Sequence, residues 1–159
     1  MTHLKRLSAP KTWPIKRKQT VWITRQNSGP HTSKASISLN TVFKELLNYT
    51  KTTRETKKIL NEGKILVNQK PRKNIRFPLG VLDVLSLPTG ENFRLLYNNM
   101  GKFILKPIKK EEAEILLYQI KNKTILKSKK IQLNLHDGTN LLVQKDEYSV
   151  GDTLVIEKG

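Results

Sequence analysis

Apolar residues fall into two periodic regimes along the chain. Leu39, Val42, Phe43, Leu46 and Leu47 recur at i, i+3, i+4, i+7 and i+8, the stripe of a helix with one buried face. Asn40 is the expected N-cap. Thr52 and Glu55 form a T-x-x-E box that opens a second helix. Ile59 and Leu60, with Thr56, face one side of it, while Arg54, Lys57, Lys58 and Asn61 face the other. Gly63 closes it as a C-terminal cap. Short strands are expected at 65–67 and 81–87, separated by the basic loop Lys70-Pro71-Arg72-Lys73.

Beyond Leu87 the pattern is mainly of strand type. Pro88-Thr89-Gly90 reads as a linker. Segments 93–97 and 102–105 flank Asn98-Asn99-Met100-Gly101, a four-residue hairpin loop ending in glycine. Ala113, Leu116, Leu117 and Ile120, behind the acidic turn Glu111, Glu112 and Glu114, predict a helix over 111–120. Strands are expected at 125–127, 131–135, 141–144 and 154–157, with turns at Asp137-Gly138 and Gly151-Asp152. No internal repeat is present. The fold class is α+β: two helices with short strands, then a mainly β region carrying one helix.

Residues 1–38 keep neither period for long, because Pro10, Pro14, Gly29 and Pro30 interrupt them. Such a segment alone buries too little apolar surface to offset its ordering entropy. Leu4, Leu7, Trp13 and Trp22 are too apolar for a solubilising tail, so the reading is an extended arm that orders on a partner. Trp22, within Val21-Trp22-Ile23, is expected to anchor the arm on its own protein. Trp13, beside Pro14, fits either an anchor or a stacking platform.

Charge changes the picture most. Thirty Lys and Arg against thirteen Asp and Glu leave +17 on 159 residues, a field that self-repels unless a polyanion neutralises it. The distribution is uneven: residues 1–44 carry nine cations and no acid, residues 45–80 nine against three, and residues 81–159 twelve against ten. The hydrophobic content of 36% is low for a packed globule but well above a disordered composition. Cysteine is absent, which removes disulfides, thiol catalysis and Cys-ligated zinc. No run approaches the ~20 apolar residues of a membrane helix, and no apolar signal core opens the chain. A membrane partner is therefore not expected, and an intracellular protein is.

Chemistry-bearing constellations favour binding over catalysis. His3, His31 and His136 lack metal-ligand spacing, and Gly80, Gly90 and Gly101 form no phosphate loop. His136-Asp137-Gly138 has no second carboxylate cluster beside it and reads as a turn. Nucleic acid is the commonest such polyanion, and expected contacts to it in the arm are Lys5, Arg6, Lys11, Lys16, Arg17, Lys18 and Arg25, with Trp13 and His31 as stacking groups on unpaired bases. In the helical region they are Lys44, Lys51, Arg54, Lys57, Lys58, Lys64, Lys70, Arg72, Lys73 and Arg76, of which Arg54 and those after it are expected to converge on one surface. The bland alternative is a solvated helix face, which the scarcity of neutralising acids disfavours. No metal, cofactor, small-molecule substrate or catalytic residue is expected.

Several stretches resemble the archaeal and eukaryotic small-subunit ribosomal protein family known as S-four-e. They are THLKRLSAPKTW at 2–13, Ser28-Gly29-Pro30-His31, RFPLGVLDV at 76–84, TGENFRLLY at 89–97 and Val150-Gly151-Asp152-Thr153. The resemblance implies an arm over 1–38, an S-four-type RNA-binding domain over 39–87 and a central β domain over 88–159. It further implies a structural role in the cytoplasmic ribosome, with small-subunit ribosomal RNA and neighbouring small-subunit proteins as partners. Two departures stand out. The family pattern continues into a third, KOW-type β-barrel, expected to be absent because the sequence stops at Gly159. Asn68-Gln69-Lys70 places Gln where the family pattern has Gly. Competing readings are a free-standing RNA-binding regulator or chaperone, and an accessory domain of an RNA-modifying enzyme. For the latter, some seventy residues are too few for a catalytic domain.

Overall fold

In the computed structural model, residues 3–127 and 130–157 are described. The architecture mixes α and β, with short helical segments and thirteen strands among the described residues. Strands β1 (Leu4–Lys5) and β2 (Trp22–Ile23) form an antiparallel ribbon with a 3-10 turn, Arg6–Ser8, after β1. Strand β3 (Ser36–Ser38) leads into α1 (Leu39–Thr41), which widens into a π turn, Val42–Leu46; α2 (Thr53–Asn61) follows.

Next come β4 (Leu66–Val67), β5 (Lys70–Pro71), β6 (Pro78–Gly80), β7 (Val84–Ser86), β8 (Asn92–Tyr97) and β9 (Phe103–Ile108). The last elements are α3 (Lys110–Glu114), β10 (Ile115–Ile125), β11 (Ile131–Leu135), β12 (Asn140–Val143) and β13 (Thr153–Glu157). The larger sheet has the order β5-β4-β7-β8-β9, a second sheet runs β12-β11-β10-β13, and β3 pairs with β6.

The larger core gathers Leu39, Val42, Phe43, Leu60, Ile65, Leu79, Leu85 and Leu95, together with Trp13 and Ala9 from the N-terminal segment. The predicted stripe is therefore the buried one: Leu39, Val42 and Phe43 are buried, Leu46 and Leu47 half-buried. A smaller core of Val84, Ala113, Leu116, Tyr118, Ile120, Leu133 and Leu135 supports the second sheet.

Five local expectations change. Ser38, not Asn40, caps α1: its extended backbone lets Oγ accept from the Thr41 N–H at 3.4 Å, and Asn40 lies buried inside the helix. Only Lys110–Glu114 is helical in the segment expected as a helix over 111–120. From Ile115 the burial alternates, with Leu116, Tyr118 and Ile120 inward, because pairing with β13 on one half and β11 on the other rewards a period of two. The strand expected at 125–127 is the end of this same β10.

Pro88-Thr89-Gly90, expected as a linker, is a hairpin turn, with Gly90 N–H donating to the Leu87 carbonyl at 3.1 Å; the sheet runs across it from β7 to β8. The strand expected over 81–87 begins only at Val84, and β6 precedes it. The capping box holds as expected. Thr52 Oγ1 accepts from the Glu55 N–H at 3.3 Å, and Glu55 accepts from the Thr52 N–H at 3.3 Å.

Candidate nucleic-acid interface

The N-terminal segment lies against the protein's own core. Trp13 is 1% exposed, and its Nε1–H donates to the Ser36 carbonyl at 3.0 Å. It offers no ring face to a base, so the stacking role suggested for it is corrected to an anchor. Trp22 reverses in the other sense: expected as an anchor, it is 57% exposed on β2, with the His3 ring 5.7 Å away. Trp22 sits on a two-residue ribbon, whereas Trp13 is a member of the larger core.

Arg6 is buried. Its guanidinium donates to Thr20 Oγ1 at 3.0 Å, to the Lys16 carbonyl at 3.1 Å and to Glu45 at 2.7 Å. Arg17 donates to the carbonyls of Leu7, Ala9 and Pro10 at 3.2, 2.9 and 2.8 Å. Both arginines, expected as phosphate contacts, staple the segment into its path instead; buried cations persist only when paired and hydrogen-bonded. Lys5, Lys11, Lys16, Lys18 and Arg25 are exposed.

His31 is likewise removed from the stacking set. Its Nε2 meets Asp83 Oδ2 at 2.8 Å and its side chain is 4% exposed. Asp83 also accepts from the Gly80 N–H at 2.7 Å and from Asn68 Nδ2 at 2.8 Å. The His31 ring sits directly on Gly80, where a Cβ would come within 2.3 Å of it. His136 packs 5.5 Å from His31, accepts the Gln119 N–H on Nδ1 at 3.2 Å and donates from Nε2 to the Val81 carbonyl at 3.3 Å. Burial, and then the neighbouring His31, push its pKa below 6.5. Tyr118 beside it is pushed up to about 12 by burial and by the charges of Asp137 and Asp83. Asp137 accepts from the Thr139 N–H and hydroxyl at 2.9 and 2.6 Å, the turn expected there.

Cations of the helical region fall on two surfaces rather than meeting on one, and Lys5, Lys11 and Lys18 line neither. On the exposed side of α2, Arg54, Lys57, Lys58 and Asn61 line a shallow depression of about 470 Å³ with Thr52 and Glu55. Hydrogen bonds from the backbone N–H of Lys51, then from Thr52, hold the Glu55 carboxyl below its usual range. At the C-terminal end, Lys73 lies over Gly63, whose φ of +73° admits glycine without strain; its Cε would be 3.2 Å from a Cβ there. Lys64 and Lys70 are exposed nearby in sequence, Lys64 within 3.7 Å of Glu62. Arg72 is half-buried, its guanidinium 4.4 Å above the Phe77 ring.

The second surface is a cleft of about 900 Å³ between the N-terminal segment and the α1–π turn. Lys16, Arg25, Lys44, Lys51 and Arg76 line it, with Trp22 and with Arg6 paired to Glu45. Lys51 at its edge is three residues from Arg54, where the α2 surface begins.

At Asn68-Gln69, where the family pattern has Gly in place of Gln69, a tight turn forms without glycine. Asn68 and Gln69 both adopt left-handed backbone, at φ +49° and +62°. Asn68 compensates by gripping β7: its N–H donates to the Val84 carbonyl, and its Oδ1 accepts from the Val84 N–H, both at 2.9 Å. Lys70 is thereby aimed outward on β5. Among the described residues no cluster of His, Asp and Glu is placed to hold a metal ion, and no helix is long and apolar enough to cross a membrane.

The chain is similar to known proteins over most of its length. The model for the Ribosomal family S4e matches residues 89–158, and that for the RS4NT (NUC023) domain matches residues 2–34. The chain is 42% identical over 153 residues to the small ribosomal subunit protein eS4 of Methanothermobacter thermautotrophicus, covering 96% of this chain and 63% of that one. It is 43% identical over 155 residues to the eS4 of Methanosphaera stadtmanae, covering 97% and 64%. It thus spans just under two thirds of the length of these relatives. The crystal structure of the 30S ribosomal protein S4e from Thermoplasma acidophilum superposes with a TM-score of 0.68 at 30% identity, covering 77% of this chain and 64% of that one.

Proposed function

The chain belongs to the ribosomal family S4e, and from that premise we propose that it is a structural constituent of the small ribosomal subunit and not an enzyme. In this reading residues 39–87 act as an S-four-type RNA-binding domain, residues 88–159 as a central β domain, and residues 1–38 as a basic arm. Small-subunit ribosomal RNA is the principal partner, adjoining small-subunit proteins the secondary ones, and the cytoplasmic ribosome the location.

The observation that carries the reading is the pair of adjoining cation-rich surfaces. Arg54, Lys57 and Lys58 stand exposed on α2, and Lys16, Lys44, Lys51 and Arg76 line the neighbouring cleft. Cations held on a rigid module release condensed counterions when they meet phosphates, which supplies affinity with little sequence preference. Shape then supplies specificity, because A-form grooves hide most base edges. Lysine carries most of the charge, since only seven of the thirty cations are arginine; the arginines add bidentate grip on phosphate.

A triple variant, Arg54→Gln, Lys57→Gln and Lys58→Gln, tests the assignment on the full chain. It is expected to fold normally, to bind small-subunit ribosomal RNA at least tenfold more weakly, and to co-sediment less with small subunits. Unchanged RNA affinity would remove α2 from the interface.

A further inference from the structure

We infer that the cleft between the N-terminal ribbon and the α1–π turn receives one unpaired nucleotide of the bound RNA, with its base laid on the Trp22 indole and its phosphate among Lys16, Lys44, Lys51 and Arg76. The inference rests on the RNA-binding reading above and adds to it what kind of RNA feature the site takes.

Two observations carry it. First, Trp22 is one of the cleft-lining residues yet remains more than half exposed, whereas the chain's other tryptophan is fully buried. A hydrated indole on a two-residue strand contributes little to folding, but it is the kind of platform on which single-stranded bases stack. Second, the only acid among the lining residues is Glu45, and Arg6 already occupies it at 2.7 Å. The charge left over is positive and matches one or two phosphates.

The volume of about 900 Å³ falls within the range of clefts that take small ligands, roughly 300–1,000 Å³. Paired bases cannot use such a site, because neighbours in the stack cover both of their faces; only a bulged, looped or flipped base presents a face to Trp22. Duplex RNA would engage the lysines and leave the indole in water.

The test uses the full chain with three probes: an RNA hairpin carrying one bulged adenosine, the same hairpin fully paired, and AMP. Burial of Trp13 makes Trp22 the emitter that responds to added ligand. The bulged hairpin is expected to quench Trp22 fluorescence strongly and to bind about tenfold more tightly than the paired one, as loss or gain of one base–aromatic stack implies. Trp22→Ala should bind the two hairpins alike, and Trp22→Phe should restore most of the preference, which a purely structural tryptophan would not do.

Equal affinity for the two hairpins in the native protein, each with a steep salt dependence, would overturn the cleft assignment while leaving phosphate binding intact. Persistence of the preference in Trp22→Ala would overturn it as well. Binding of neither hairpin would instead overturn the RNA-binding reading itself. Quenching by AMP as tight as by the bulged hairpin would overturn the RNA assignment in favour of a free nucleotide.

Discussion

Replacing Arg6 by alanine removes the cation that ties the N-terminal segment to the π turn. Arg6 is 5% exposed and the Glu45 side chain 15%, so the pair sits largely out of water. Breaking a buried pair from one side leaves an uncompensated charge and costs about 3–5 kcal/mol. The lost bonds to Thr20 and to the Lys16 carbonyl add roughly 0.5–1 kcal/mol each, since both acceptors can then be hydrated. Because the Glu45 side chain keeps some contact with water, the lower end of this sum, about 4 kcal/mol, applies, and it is a large share of a typical domain stability of about 5–15 kcal/mol. At about 2–4 °C per kcal/mol for a chain of this size, Tm should fall by roughly 8–16 °C.

The assay is a double-mutant cycle by urea unfolding with Arg6→Ala, Glu45→Ala and the double variant. The double variant should cost less than the sum of the single ones by about 2 kcal/mol or more, because removing both charges leaves neither stranded. Amide exchange should accelerate at Arg6, whose N–H donates to the Val21 carbonyl at 2.9 Å. A cost below about 1 kcal/mol for Arg6→Ala, or strict additivity in the cycle, would refute the idea that this pair docks the segment.

Two further outcomes follow from local geometry and titration. Gln69→Gly relieves a left-handed residue at φ +62° and, after the extra freedom of glycine in the unfolded chain is offset, should stabilise by about 0.5–1 kcal/mol in urea melts; destabilisation would mean that the Gln69 side chain earns its place. For His136, whose pKa is depressed in the fold, stability is unaffected above pH 6.5; below it the unfolded chain takes a proton that the folded chain refuses, so stability falls until the folded pKa is passed. His136→Gln should flatten urea midpoints in that window, and an unchanged pH dependence would contradict the burial of a neutral imidazole.

Much of the helical region was legible because local and tertiary signals agreed there. The stripe from Leu39 to Phe43 is the buried face, and Thr52 with Glu55 forms a complete capping box. Residues 115–120 were misread because Leu116 and Ile120 satisfy a helical spacing and, with Tyr118, an alternating one; only distant partners, Thr153–Glu157 for residues 115–119 and Leu135 for Ile120, decide between them. Asn40 was misplaced as a cap because the extended backbone of Ser38 is set by pairing of β3 with β6.

In the site, charge clusters were readable, but which cations are spent internally was not. Nothing local distinguishes Arg6 or Arg17, folded onto Glu45 and onto backbone carbonyls, from Lys16 or Lys18, which point outward. Trp22 was missed for a related reason. Its apolar neighbours suggest a core, yet Val21 beside it is exposed too, at 63%.

The most direct measurement is the salt dependence of the full chain's affinity for small-subunit ribosomal RNA. Each phosphate neutralised contributes a slope of about −0.7 to −0.9 in log K against log salt. With Lys16, Lys44, Lys51, Arg54, Lys57, Lys58 and Arg76 engaged, the slope should lie near −5 to −6, and removing three of these cations should reduce its magnitude by about 2 to 3. A flat line, or a slope indifferent to their removal, would contradict phosphate binding by these two surfaces.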